Sequence, residues 1–447
     1  MAAWRILASV VVVLAAVRAA TAQTYRLTET PKAGDCFQVQ LQMTLAGEIR
    51  VHKDHKPVSL KLAATATHAF PERVLIVGGD GIPQKTARVY ETAKAVITIG
   101  TDRSERSLRD GRRLIVAQRP TDQLLAYCPA GTLTREELEL IGEHFDTLAL
   151  TGLLPGKAVP IKATWKVSNP VAQALCNFEG LTGQDLSCQL VEVKGNLAYV
   201  AVTGSATGID VGALAKLKIS GNYIFDLDRH RLMSLTWKQK DDRDQGPASP
   251  ASAVESTTTL KRSPIDLPEG LTDLALIPVA DKFEVSPDLT QLIYHDPKSR
   301  FDVSYGREWQ TVGETERHLV LRCMERGDLI AQVTITPWPR AKAGDHLSPE
   351  TFQDEMANTP GWSQDEVLQT GVVPSPEDQP GRWVYRVSAV GRMDGIKVLQ
   401  NFYLVAGPGG DQVVLAFTMA QAQAEKLGTR DLSLAGSIDF PPAGKPK

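Results

Sequence analysis

The chain has 447 residues, of which 43% are hydrophobic and 23% charged, enough for two or three domains that each bury a core. Its formal net charge is −3 and only 6% of it is aromatic. Neither a strongly basic nucleic-acid groove nor a broad stacking platform is therefore expected.

At the start, Arg5 precedes a continuous apolar run from Ile6 to Val17, and Ala20-Thr21-Ala22 closes it with an A-x-A site. That is the pattern of a secretory signal peptide over residues 1–22. The run falls short of the roughly 20 residues a membrane span needs. No cysteine follows it to carry a lipid, and no later segment is apolar enough to span. A secreted or periplasmic chain is expected. Five cysteines remain, Cys36, Cys128, Cys176, Cys188 and Cys323, so at least one is unpaired within the chain. Cys176 and Cys188 flank a loop that a disulfide would staple, Cys36 with Cys128 stays open, and Cys323 reads as a buried inert thiol.

From Cys36 onward, Phe37, Val39 and Leu41 alternate with Gln38, Gln40 and Gln42, and residues 58–67 repeat the pattern, which predicts an antiparallel pair. Gly78-Gly79-Asp80-Gly81 lacks the Lys-Ser/Thr ending of a phosphate loop and reads as a turn. A short helix is expected at 89–95, a strand at 95–99, and a turn at Asp110-Gly111 into a strand at 113–118. Thr134 with Glu137 forms a capping box, and Leu138, Ile141, Phe145 and Leu148 continue a helical face. Strands follow at 161–167, 189–193, 198–203, 216–225 and 231–238, the last two as a hairpin about residues 226–230. Residues 244–253 read as a surface loop and 256–262 as an edge strand. Proline-rich residues 264–278 mark a linker.

Beyond the linker, Phe301, Val303 and Tyr305 open a strand, and 319–323 with 329–336 make a hairpin. Ser348-Pro349-Glu350 starts a helix that buries Phe352 and Met356. Four strands at 367–373, 383–390, 396–405 and 412–419, a helix at 421–427 and a final strand at 437–440 complete the pattern.

Three resemblances follow from these residues. The Phe301-x-Val-x-Tyr-x-x-x-Trp309 head and the Ser437-Ile-Asp-Phe440 tail bracket a region, residues 283–441, that resembles the PsbP/DcrB-like α/β/α family. Gly306-Arg-Glu stands where the family's head motif usually has a proline. The resemblance implies a central antiparallel sheet with helices on both faces, an extrinsic or binding role, and no shared active site. The capped helix, Leu153-Leu-Pro-Gly-Lys157 and the Thr164-Trp165 strand resemble uncharacterised secreted proteins of planctomycete-type bacteria, and the strand succession resembles the curved sheets of bacterial lipoprotein carriers. The expected fold class is α+β. Residues 23–262 form a β-rich, curved antiparallel sheet with a few helices, divisible near 150–160. A linker at 263–282, the PsbP/DcrB-like region at 283–441 and a tail at 442–447 complete the chain.

Catalytic patterns fail one by one. His52-Lys-Asp-His55 has no second ligand cluster, and Glu143-His144 has Leu140 where an inverted zinc motif needs histidine. Ser205 stands one position early for a nucleophile elbow. Asp241-Asp242-Arg243-Asp244 lacks calcium-loop spacing, and Arg326-Gly327-Asp328 fits a hairpin turn. No catalytic, cofactor-binding or metal residue is assigned and no cofactor is expected. The leading expectation is a non-catalytic binding or structural module of the cell envelope whose partner is an envelope protein or an apolar ligand. The alternatives are a carrier of an apolar ligand in the N-terminal sheet, lined by Trp165, Phe225 and Trp237, and a hydrolase with a dispersed site.

Overall fold

The computed structural model describes residues 23–53, 56–142, 146–374 and 381–441. The predicted signal peptide, His55, Glu143-His144, Phe145 and the 442–447 tail lie outside the described residues.

The alternation that starts at Cys36 runs much further than its opening residues promise. Strands β1 (Cys36–Lys53) and β2 (Lys56–Val77) form one antiparallel hairpin, in register from Cys36 opposite Arg73 to Lys53 opposite Lys56. β2 divides its partners. Its Leu62 to Ala69 half pairs with β3 (Thr92–Ile99), and its Glu72 to Val77 half pairs with Pro83–Val89. On the other side of β1 the sheet continues through β7 (Ala251–Pro264), β6 (Arg231–Arg243), β5 (Ala213–Asp226) and β4 (Leu197–Asp210) in an antiparallel sheet of fourteen strands.

Several expectations are corrected. Residues 89–95 are not a helix: Pro83–Val89 is a strand, and β3 begins at Thr92, because the edge of β2 away from β1 is paired by these two strands in succession. The segment at 256–262 is not an edge strand. β7 lies between β6 and β1, with Thr257 on the polar face and Thr258 buried opposite Trp237 and Met43. The strand expected at 161–167 shrinks to Thr164–Lys166. The capping box is present: Thr134 N donates to Glu137 Oε2 (3.0 Å) and Glu137 N to Thr134 Oγ1 (3.2 Å). Its helix, α1 (Arg135–Gly142), buries Leu140 and Ile141, whereas Leu148 belongs to a separate 3-10 turn capped by Asp146.

The proline-rich linker is strapped to the sheet. Leu271, Leu276 and Val279 pack with Ala87, Val116 and Tyr127. Lys85 Nζ donates to the carbonyls of Ala280 and Lys282, and Gln118 Nε2 to that of Phe283.

Beyond it, Asp302–Tyr305 does not open the large C-terminal sheet. It joins Leu292–His295 and Ile438–Asp439 in a three-stranded sheet, with Phe301, Val303 and Tyr305 buried. The seven-stranded antiparallel sheet begins at Trp309. In sheet order its strands are β8 (Trp309–Glu314), β9 (Leu319–Glu325), β10 (Asp328–Trp338), β14 (Gln412–Met419), β13 (Ile396–Ala406), β12 (Trp383–Met393) and β11 (Trp362–Val373). Alternation along β13 explains its layering. Phe402 and Leu404 pack under Phe352 and Met356 of helix Pro349–Ala357, while Tyr403 and Val405 share a cluster with Leu434 and Ala435 of helix Arg430–Gly436. Helices thus cover both faces.

Contacts between the two regions are specific. Arg307 donates to Ala126 O (2.8 Å), Arg135 to Trp309 O (2.5 Å) and Ile293 N to Leu133 O (2.9 Å). All five cysteines are buried free thiols, which removes the proposed Cys176–Cys188 staple. Cys188 is on a strand beside the Tyr223 hydroxyl, and Cys176 caps the C-terminus of helix Asn169–Leu175.

Candidate ligand-binding faces of the long sheet

Side chains alternate between the two faces of a strand, so register fixes which residues share a face. In the upper part of the β1–β2 hairpin, the inward residues Val39, Leu41 and Phe70 are sealed in the main core. Further down, the same face carries Met43, Leu45, Ile49 and Val51 on β1. Opposite them lie Ala66, Ala64, Leu60 and Val58 on β2. β3 adds Ile97 and Ile99, paired with Ala64 and Leu62, and β7 adds Val254 opposite Gly47.

The large aliphatics of this lower face are only partly buried, and Ile99 is 36% exposed. None of them belongs to, or packs against, the four buried clusters of the described residues. The cover stops at β5 and β6, where Leu217, Ile219 and Trp237 share a cluster with Val171, Leu175 and Phe178. The hairpin therefore extends past its core with an apolar face only partly buried. At its centre, a Cβ on Gly47 would fall 2.2 Å from Ala253 O, so glycine is what lets β1 approach β7 so closely.

The reverse face of the same strands is polar. One row runs Ser220, Lys238, Thr257, Thr44, Thr65 and the next runs Lys218, Lys240, Glu255, Ala46, Ala63. Two shallow troughs of about 360 and about 720 Å³ lie across these rows and share Ala46, Lys218, Lys240 and Glu255. Lys240 Nζ pairs with Glu255 at 2.5 Å.

Several ionisable groups lie buried or half-buried in the N-terminal part. Burial pushes His68 down to about 4. Arg88 meets Glu72 at 2.8 Å in the interior, and Thr147 Oγ1 donates to the same carboxylate. Glu29 accepts from Arg262 (2.6 Å) and from Leu232 N (2.9 Å), which ties the N-terminal segment across the sheet. Asp241 is pushed up to about 6 by burial at the root of the overhang.

The motifs singled out in the sequence do not converge. Ser205 Oγ donates to Asp185 at 2.9 Å, Arg243 pairs with Asp210 at 2.5 Å, and Asp328 of the Arg-Gly-Asp turn pairs with Lys426. Among the described residues no group of three or more His, Cys, Asp or Glu is placed to hold a metal. Phe225 and Trp237 are sealed core residues, and Trp165 Nε1 donates to Leu153 O, so the three line no opening. The apolar overhang went unread as a site. Its alternation at Met43, Leu45, Ile49 and Val51 is visible in the sequence, but a covered strand has the same pattern.

No protein-family model and no curated protein matches the chain, and the resemblance of its N-terminal part to planctomycete-type secreted proteins finds no support. Among solved structures it is similar to cyanobacterial PsbP (CyanoP) from Synechocystis, at 15% identity over 37% of this chain and 99% of that one, with a TM-score of 0.25. It is similar to the Saccharomyces cerevisiae Ran-binding protein Mog1p at 11% identity, over 34% of this chain and 95% of that one, with a TM-score of 0.26. A third likeness, to lipovitellin, has 9% identity over 53% of this chain and 25% of that one, with a TM-score of 0.31. These are partial likenesses of fold and bring no residue roles with them. No helix among the described residues is long and apolar enough to cross a membrane.

Proposed function

We propose that the chain is a secreted or periplasmic binding module of the cell envelope, without a catalytic role, and that it binds through the apolar face of its overhanging hairpin. The observation that carries this reading is that Met43, Leu45, Ile49, Leu60, Leu62 and Ile97 share one sheet face that is only partly buried and lies outside the buried clusters of the described residues. Fully burying a Leu or Ile side chain contributes roughly 1.5–3 kcal/mol, so this face holds unused binding energy for an apolar partner. The signal-like start supports export, and residues 283–441 read as a PsbP/DcrB-like α/β/α region that supplies a rigid base.

A second reading, carriage of a small apolar ligand, uses the same face in place of the Trp165, Phe225 and Trp237 lining. Native mass spectrometry of the exported protein separates the two: a protein complex supports the first and an added small mass the second. Recovery of the bare chain alone, from cells in which it is made at its natural level, would overturn both. A Leu45→Asp/Leu62→Asp variant is expected to lose the bound species while keeping its fold.

A further inference from the structure

We infer that the trough face, on the reverse side of the sheet, binds an acidic polysaccharide. This site goes beyond the apolar face and does not depend on it. Lys216 and Lys218 extend from β5, and Lys238 and Lys240 from β6, with Lys218 directly opposite Lys240. Like charges directly opposite in an antiparallel pair are unfavourable, and any threonine would suit these solvated positions better. Sequences that break such a local rule do so most often where a ligand repays it.

The two troughs are lined by Arg50, Lys216, Lys218, Lys238 and Lys240 against Asp241, Asp242 and Glu255, a surplus of two positive charges. The whole chain carries −3, so the face runs against the protein's own sign. It focuses anions locally.

The remaining lining selects the class of anion. Thr44, Ser220 and Thr257 offer hydroxyls, and Ala46 and Ala253 keep the floor low. Leu45, Ile219 and Val254 contribute floor backbone and point their side chains to the opposite face by alternation. No aromatic residue lines either trough. A peptide partner needs apolar anchors and a bilayer needs inserting side chains, and the face has neither. A hydrated chain rich in hydroxyls and carboxylates or sulfates needs neither. Lysine heads set roughly 5 Å apart across strands and roughly 7 Å apart along them would meet its charges in sequence.

The test uses the full exported chain with labelled heparin and polygalacturonate as probes, read by fluorescence anisotropy at low and moderate salt. Binding that weakens with salt, falls at least tenfold in Lys218→Glu/Lys240→Glu and survives in Lys218→Arg/Lys240→Arg is the expected result. The double Glu variant alters two exposed side chains, and circular dichroism confirms that it folds. No binding at low salt, or equal binding by the Glu variant, overturns the proposal. Equal or tighter binding of polyglutamate or of phosphatidylglycerol vesicles overturns the assignment to polysaccharide.

Discussion

The two large sheets use similar residues to opposite ends. In the seven-stranded C-terminal sheet, β13 alternates Phe402 and Leu404 toward one helix with Tyr403 and Val405 toward another, and all four are nearly inaccessible. In the overhang of the long sheet, β1 alternates Met43, Leu45 and Ile49 with Thr44, Ala46 and Glu48, and both sets meet solvent to some degree. A covered sheet spends its apolar faces on stability. An uncovered one keeps them available, and only the second arrangement can bind without unfolding something first.

Core truncation should break this comparison most visibly. Phe352→Ala removes a fully buried ring from beneath helix Pro349–Ala357, and about 3–5 kcal/mol of stability should go with it. Leu62→Ala on the overhang should cost less than about 1 kcal/mol, because water already reaches the site. Urea denaturation of both variants measures the contrast, and equal losses would show that something covers the overhang.

Titration distinguishes two buried groups of the long sheet, with opposite signs. Burial holds His68 at about 4, below its unfolded value of about 6.5, so the native state stays neutral where the unfolded chain takes up a proton. Stability should therefore be complete above about pH 6.5 and fall as pH drops toward 4, by on the order of 2–3 kcal/mol. Burial raises Asp241 to about 6, so there the native state holds the proton more tightly. That contribution favours folding below about pH 4 and is lost as pH rises through 6, by roughly 1–2 kcal/mol after allowing for partial exposure. His68→Gln should flatten the acid limb of the stability profile, and Asp241→Asn should raise the neutral plateau. Unchanged profiles in both would refute the burial of these groups.

How far the sequence reaches follows from the same physics. Local signals were legible: the Thr134–Glu137 box, the Ser348-Pro349 helix start and the Arg326-Gly327 turn each rest on residues within a few positions of one another. The sheet order was not, because whether β7 is an edge depends on β1, some two hundred residues away. The site was least legible. Leu45 and Leu41 look alike as letters, and what separates them is that the core covers one and ends before the other.

Gly47 tests the geometry that joins β7 to the overhang. A methyl group there meets Ala253 O at 2.2 Å, a backbone atom that cannot swing aside. Gly47→Ala should cost about 1–3 kcal/mol, comparable to overpacking a core, although the site lies outside the buried clusters. A neutral result would mean that the two strands separate freely at this point.

The smallest expected effect carries the most information about the reverse face. Lys218→Thr removes a charge directly opposite Lys240 and installs a residue that suits an exposed strand. In low salt the variant should be more stable than the parent by a few tenths of a kcal/mol, up to about 1, and the gain should shrink as salt screens the remaining lysines. A stabilising substitution at an exposed lysine means that the natural residue is kept at a cost. If the melting midpoint instead falls at every salt concentration, Lys218 packs its aliphatic stem on the sheet, and the like-charge pair with Lys240 is incidental to it.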